Sequence, residues 1–282
     1  MPDPFQTDTF AFILLIGCLA GTLGGLLGVG GSVIIIPGLA LLFGTGENQH
    51  LYQASAMTVN VAVAVPAALR HRRAKAPVPT VLRWMLPATL AAIVVGVLAS
   101  NLPVFREEQG GQWLGRVLAV FLLYVVIVNT RKLSRPKHQR EHETLDNARI
   151  NRWRSGTVGV VMGSAAGLMG IGGGALAVPL QQTLVKLPLR NAIANASVVM
   201  VFSAAIGATL KLATLGTHYD NQVTGRPAWQ NALLLAALLA PTAIVGARIG
   251  AKLTHTLPLT YVRIAFVGLM IAAAVKMAAL PL

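Results

Sequence analysis

Apolar residues along this chain gather into ten runs, and the lengths of those runs carry the first inference. The first half holds Phe10 to Leu27, Val33 to Phe43, Ala54 to Leu69, Trp84 to Ala99 and Trp113 to Val128. After a polar stretch come Thr157 to Ile171, Ala175 to Val185, Ala192 to Leu212, Trp229 to Ile249 and Tyr261 to Leu280. Each half therefore reads long, short, long, long, long. Such runs predict membrane-spanning helices. The second run of each half has about 11 residues, roughly 16 Å as helix, against a hydrocarbon core about 30 Å thick. It cannot cross alone. The pattern predicts an all-α polytopic membrane protein, with a membrane repeat over 1–130, a basic linker over 131–155 and a second membrane repeat over 156–282.

Composition agrees with this reading. Only 11% of residues are charged, where a soluble domain has about 25%. The formal charge of +14 suggests nucleic acid in a soluble protein, but charges confined to loops between spans cannot build a nucleic-acid face. They act instead as a topology signal, because Lys and Arg are retained on the cytoplasmic side. Eighteen of the 23 basic residues fall on one side if Arg70, Arg72, Arg73, Lys75 and Arg83, the linker, Lys186 and Arg190, and Arg248, Lys252 and Arg263 are inside. Arg106, Arg116, Lys211, Arg226 and Lys276 are then left outside. This works only if each long-short pair returns to its starting side. Each half then crosses three times, both termini are periplasmic, and the halves are oppositely oriented. The segment before Phe10 carries Asp3 and Asp8 and no Lys or Arg, the wrong flank for a cleaved signal peptide. The lone Cys18 sits in an apolar run and reads as a small hydrophobe.

The halves also repeat in sequence. Gly21 to Pro37 reads GTLGGLLGVGGSVIIIP and Gly163 to Pro179 reads GSAAGLMGIGGGALAVP; both fit GxxxGLxG[VI]GG[SG]xxxxP without a gap. Ala54, Ala56 and Thr58 then stand opposite Ala192, Ala194 and Ala196, and Pro87 with Gly96 opposite Pro241 with Gly250. With three crossings per half this predicts an inverted-topology repeat, each half a long-short hairpin broken at a glycine motif plus three spanning helices, with a site between the repeats near the bilayer midplane.

The glycines interrupt runs that would otherwise be helical, and broken backbone at membrane depth must be buried in protein or line a wet cavity. Short helices starting at Ser32 and Gly174 would present free N–H groups and about half a positive charge each. GxxxG spacing at Gly21/Gly25 and Gly163/Gly167 also suits close helix packing. None of the nine acids lies inside a predicted span, which disfavours a cation carrier. Neutral polar residues do lie there. The expected substrate-binding set is Gly30, Gly31, Ser32, Thr58 and Asn60 with Gly172, Gly173, Gly174, Asn195 and Ser197. Asn60 and Asn195 would alternatively serve only as interhelical hydrogen bonds. His138 and His142 stand at i, i+4 among solvated charges and read as linker residues rather than metal ligands. No catalytic or nucleotide-binding motif is present in the sequence, and no cofactor is implied.

The doubled glycine motif, with Ala54 to Thr58 and the basic Arg70 to Arg73, resembles the sulfite exporter TauE/SafE family. The resemblance covers nearly the whole chain. It implies an inner-membrane carrier of small sulfur-containing anions such as sulfite or a sulfonate, with the lipid bilayer as its surroundings; protons are a candidate coupling partner, although no intramembrane carboxylate or His marks a relay. An anion channel, a carrier of a carboxylate and a membrane enzyme are the competing readings.

Overall fold

The computed structural model describes residues 7–44, 49–102, 148–218 and 227–253, with isolated positions between 116 and 145 and between 264 and 271. The helices are α1 (Thr7–Leu27), α2 (Ser32–Phe43), α3 (Gln49–Arg73), α4 (Pro79–Ser100), α5 (Arg152–Met169), α6 (Gly174–Leu180), α7 (Leu189–His218) and α8 (Ala228–Leu253), with a π-helical turn over Gln181–Val185 directly after α6. Among the described residues there is no strand. The chain is an all-α membrane protein. Five of the described helices, α1, α3, α4, α7 and α8, are long and apolar enough to cross a bilayer. α5 is not among them, because Arg152 and Arg154 in its first turn and its glycines dilute its apolar residues. Most of the fifth run of each half, and His138 and His142 of the linker, lie outside the described residues.

The long-short pairs are hairpins. Gly31 lies beside Ala20 and Gly38 beside Ile16, so α2 runs back along α1. Gly173, before α6, packs on Met162 of α5. The 12 residues of α2 extend about 18 Å, too short to cross. In the second half the short helix has 7 residues, about two turns, and then loosens into the π turn. There the Gln181 side chain donates to the carbonyls of Ala177 and Ala192, both at 3.2 Å.

Glycine stripes join one half to the other. On α1, Gly17, Gly21 and Gly25 face Leu239, Ala243 and Ala247 of α8. On α5, Gly159, Gly163 and Gly167 face Met85, Thr89 and Ile93 of α4. The two interfaces repeat at the same spacing and both pair helices in parallel. Lipid tails are as apolar as the side chains, so these helices associate by close packing of backbone on backbone, which glycine permits. A Cβ at Gly21 would sit 2.7 Å from the Ala243 carbonyl carbon, and one at Gly167 would sit 2.6 Å from the Val97 nitrogen.

The helices that follow the two hairpins, α3 and α7, run the other way relative to each other. Met57 of α3 meets Gly207 of α7, while Gln53 meets Lys211 and Ala64 packs with Met200 and Ala204. α3 and α7 are therefore antiparallel. α3 begins at Gln49, earlier than the expected Ala54, because Gln49, His50 and Gln53 are polar yet buried. The end of the basic linker is tied down as well: Arg149 donates its N–H to the Val185 carbonyl at 2.8 Å, and the Arg154 guanidinium donates to the Leu184 carbonyl at 3.2 Å.

Candidate functional site

Both glycine motifs end a long helix in the same way. The Gly28 N–H donates to the Gly24 carbonyl at 3.0 Å, and the Gly170 N–H donates to the Ala166 carbonyl at 2.9 Å. Gly28 and Gly170 then turn left-handed at φ 64° and 70°, followed by Gly30 at 85° and by Gly172 and Gly173 at 66° and 79°. L side chains disfavour that region, which is why glycine recurs here. The chain reverses, and the short helices begin at Ser32 and Gly174, the expected positions.

Asn60, near the middle of α3, lies at the centre of this region. Its Oδ1 accepts from the N–H groups of Gly31 at 2.8 Å and Ser32 at 3.1 Å. Its Nδ2 donates to the Ser32 Oγ at 2.8 Å. The positive end of α2 thus converges on one carbonyl oxygen, a cap supplied by another helix. The second motif closes on the same residue. A Cβ at Gly172 would lie 2.5 Å from the Asn60 Nδ2, and one at Gly174 would lie 2.6 Å from the Gly28 carbonyl oxygen. Met200 and Ser203 of α7 complete the junction. The Met200 Sδ would be 2.8 Å from a Cβ at Gly30, and the Ser203 hydroxyl donates to the Gly172 carbonyl at 3.3 Å. All of these residues are buried.

The structure therefore brings Gly30, Gly31, Ser32, Asn60, Gly172 and Gly174 into one junction. It places the others elsewhere. Gly173 packs on Met162 and precedes α6 as its N-cap. Thr58 donates to the Ala54 carbonyl at 2.9 Å and faces a groove. Asn195 ties the start of α4 to the π turn, accepting from the Val78 N–H at 2.8 Å and donating to the Gln181 Oε1 at 3.1 Å. Ser197 donates to the Ile193 carbonyl at 2.9 Å. The two halves are thus unequal: the offset that sets Ala54 opposite Ala192 sets Asn60 opposite Val198.

The groove that Thr58 lines has a volume of about 720 Å³ and runs between α3, α7 and α8 past Val65 and Leu69 to Arg248. A second cavity of about 750 Å³ shares Pro66, Leu69 and Arg248 and adds Arg70 and Arg73. Arginines from two distant stretches of chain thus meet at one end of the bundle, as the charge distribution predicts.

Lys211 corrects that distribution. It does not belong with the solvated outer cations. It is fully buried, and its Nζ donates to the Gln53 Oε1 and the Ser100 Oγ, both at 2.6 Å. The inventory of neutral side chains within the spans therefore omitted one cation. The signal was present, since Lys211 lies inside the run Ala192 to Leu212.

The chain is 25% identical to the "Probable membrane transporter protein MamO" of Paramagnetospirillum magneticum, over 94% of this chain and 44% of that protein. It spans less than half the length of the two MamO relatives that it matches. It is 24% identical to the "Probable membrane transporter protein YunE" of Bacillus subtilis, over 88% of this chain and 89% of that protein. A "Probable membrane transporter protein" of Haemophilus influenzae is 25% identical over 95% of this chain and 98% of its own length. No solved structure matches the chain. The family description that matches residues 13–277, nearly the whole chain, is the sulfite exporter TauE/SafE, and this protein belongs to that family of membrane transporters.

Proposed function

We propose that this protein is a secondary transporter that exports a small sulfur-containing oxyanion, such as sulfite or a sulfonate like sulfoacetate, across the inner membrane by alternating access. The observation that carries this reading is the convergence of the Gly31 and Ser32 amides on the Asn60 oxygen at a buried junction of both glycine turns. Two backbone donors at a helix N-terminus suit an anion. In the closed form Asn60 occupies them. When the junction opens, an oxygen of the substrate replaces the Asn60 oxygen, and the charge of the substrate strengthens both hydrogen bonds. When the substrate leaves, Asn60 recaps the helix, so the amides are never bare in an apolar setting. Antiparallel α3 and α7 and the matched glycine interfaces support two inverted repeats that rock against each other around this junction. The arginine-lined mouth attracts anions from the cytoplasmic side.

Flux into proteoliposomes of sulfite, sulfoacetate, taurine, sulfate and acetate tests this directly. Saturable flux with counterflow is expected for a sulfur oxyanion. Unsaturable conductance would make the protein a channel, transport of acetate alone would make it a carboxylate carrier, and turnover without transport would make it an enzyme.

Topology gives a separate test. Reporters fused after Arg73 and within 131–154 are expected to be cytoplasmic, and reporters at either terminus periplasmic. A cytoplasmic C-terminus would add or remove a crossing in the second half and break the inverted arrangement.

A further inference from the structure

Three levels follow one another along α3. Gln53 meets Lys211, Asn60 meets the glycine turns, and Arg70 and Arg73 share a cavity with Arg248. At 1.5 Å per residue, Gln53 stands about 10 Å from Asn60, on the side opposite the arginines. A lysine at such a place is costly, because its charge has left water. Its two hydrogen-bond partners among the described residues, the Gln53 amide and the Ser100 hydroxyl, are neutral. They solvate the ammonium without balancing its charge. The Ser100 Oγ itself donates to the Val97 carbonyl at 2.8 Å, so it accepts from Lys211 with a lone pair.

Unused donors remain beside this charge. An ammonium carries three protons, and two of them are directed at Gln53 and Ser100. The Nε2 of Gln53 is fully buried and has no hydrogen-bond partner among the described residues. The Gln53 side chain also packs on Gly170, where a Cβ would lie 2.5 Å from its own Cβ. The cluster therefore abuts the left-handed turn that opens the second glycine motif.

We propose that Lys211, Gln53 and Ser100 form a second anion-binding station, which holds a small singly charged anion between the glycine junction and the periplasmic face. The inference rests on the export reading for its place on the path, though not for its chemistry. A bound anion would supply the countercharge that the Lys211 ammonium lacks and an acceptor for the Gln53 amide. In transport it would receive the anion leaving the junction, and the next substrate would displace it outward.

The test is the thermal stability of the purified full-length protein in nitrate or chloride, which are not proposed substrates of the junction, against the bulkier anion gluconate. Wild type is expected to gain about 3 °C or more in Tm with the small anions. Lys211→Met should lose the gain, and Lys211→Arg should retain most of it. Gln53→Glu decides the matter if Lys211→Met does not fold. It places a carboxylate against the ammonium in nearly the same shape, so the protein should fold and no longer respond to anions. A merely structural lysine would leave the anion response of Gln53→Glu unchanged, and that result would overturn the proposal, as would a wild type indifferent to small anions. Asn60→Asp separates the two readings: it should lose flux and keep the anion-dependent gain in Tm. Flux lost with Asn60→Asp but intact in Gln53→Glu would leave the junction as the transport site and remove Lys211 from the path.

Discussion

Asn60→Asp is expected to abolish anion transport while leaving the protein folded. The aspartate oxygens can still accept from the Gly31 and Ser32 amides, which now lie 2.8 and 3.1 Å from the Asn60 oxygen, and a carboxylate at a helix N-terminus is a better cap than an amide. The bond from Nδ2 to the Ser32 hydroxyl is lost, but that hydroxyl can rotate to donate to the carboxylate. What changes is the charge at the junction. Two unit negative charges about 4 Å apart repel by roughly 4 kcal/mol at an effective dielectric near 20, a loss of about a thousandfold in affinity. Flux should fall to background with Tm at or above wild type. Wild-type flux in a folded Asn60→Asp protein would make Asn60 a structural cap and move the site elsewhere.

The largest loss of stability is expected from Gly21→Leu and from its counterpart Gly163→Leu. At Gly21 even a methyl group would meet the Ala243 backbone, and at Gly163 it would come 2.9 Å from the Ala92 Cβ. The obstacle at Gly21 is backbone, so no rotamer change relieves it. α1 must move off α8, or α5 off α4, and close packing is what holds these pairs together. Overpacking costs about 1–3 kcal/mol where side chains can shift, and more is expected here. Both variants should run as aggregates or as broad, low-Tm species on size exclusion. Gly156→Ala is the control, because a Cβ there meets nothing within 4 Å. It should be neutral or slightly stabilising.

The helices and their glycine breaks were legible because each rests on local physics. Apolar length marks the spans, and the need for φ > 0 marks Gly28, Gly30, Gly170 and Gly172, so the starts of α2 and α6 at Ser32 and Gly174 could be read from the sequence. Side-chain partners were less legible. Asn60 and Asn195 look alike in sequence, yet one caps α2 and the other braces the start of α4, and only tertiary contacts distinguish them. The GxxxG spacing was visible, but not that each stripe faces the opposite half. The buried polar start of α3 was misread because hydropathy ends a span at polar residues, and Lys211 because its charge was counted with the outer loops although its run extends past it; a protein interior can hold such residues when they hydrogen-bond to each other.

The reciprocal pairing has a consequence for how the chain is made. Of the described helices, α1 leaves the ribosome first and its partner α8 last. At roughly 5–20 residues per second, α1 waits on the order of 10 s or longer with its glycine stripe turned to lipid. α4 waits only for α5, which follows directly after the linker. Among the described helices, assembly should therefore begin at the α4–α5 pair and close with α1 on α8. A copy truncated before Ala228 would insert with the α4–α5 pair formed and α1 unclaimed, a natural substrate for membrane quality control.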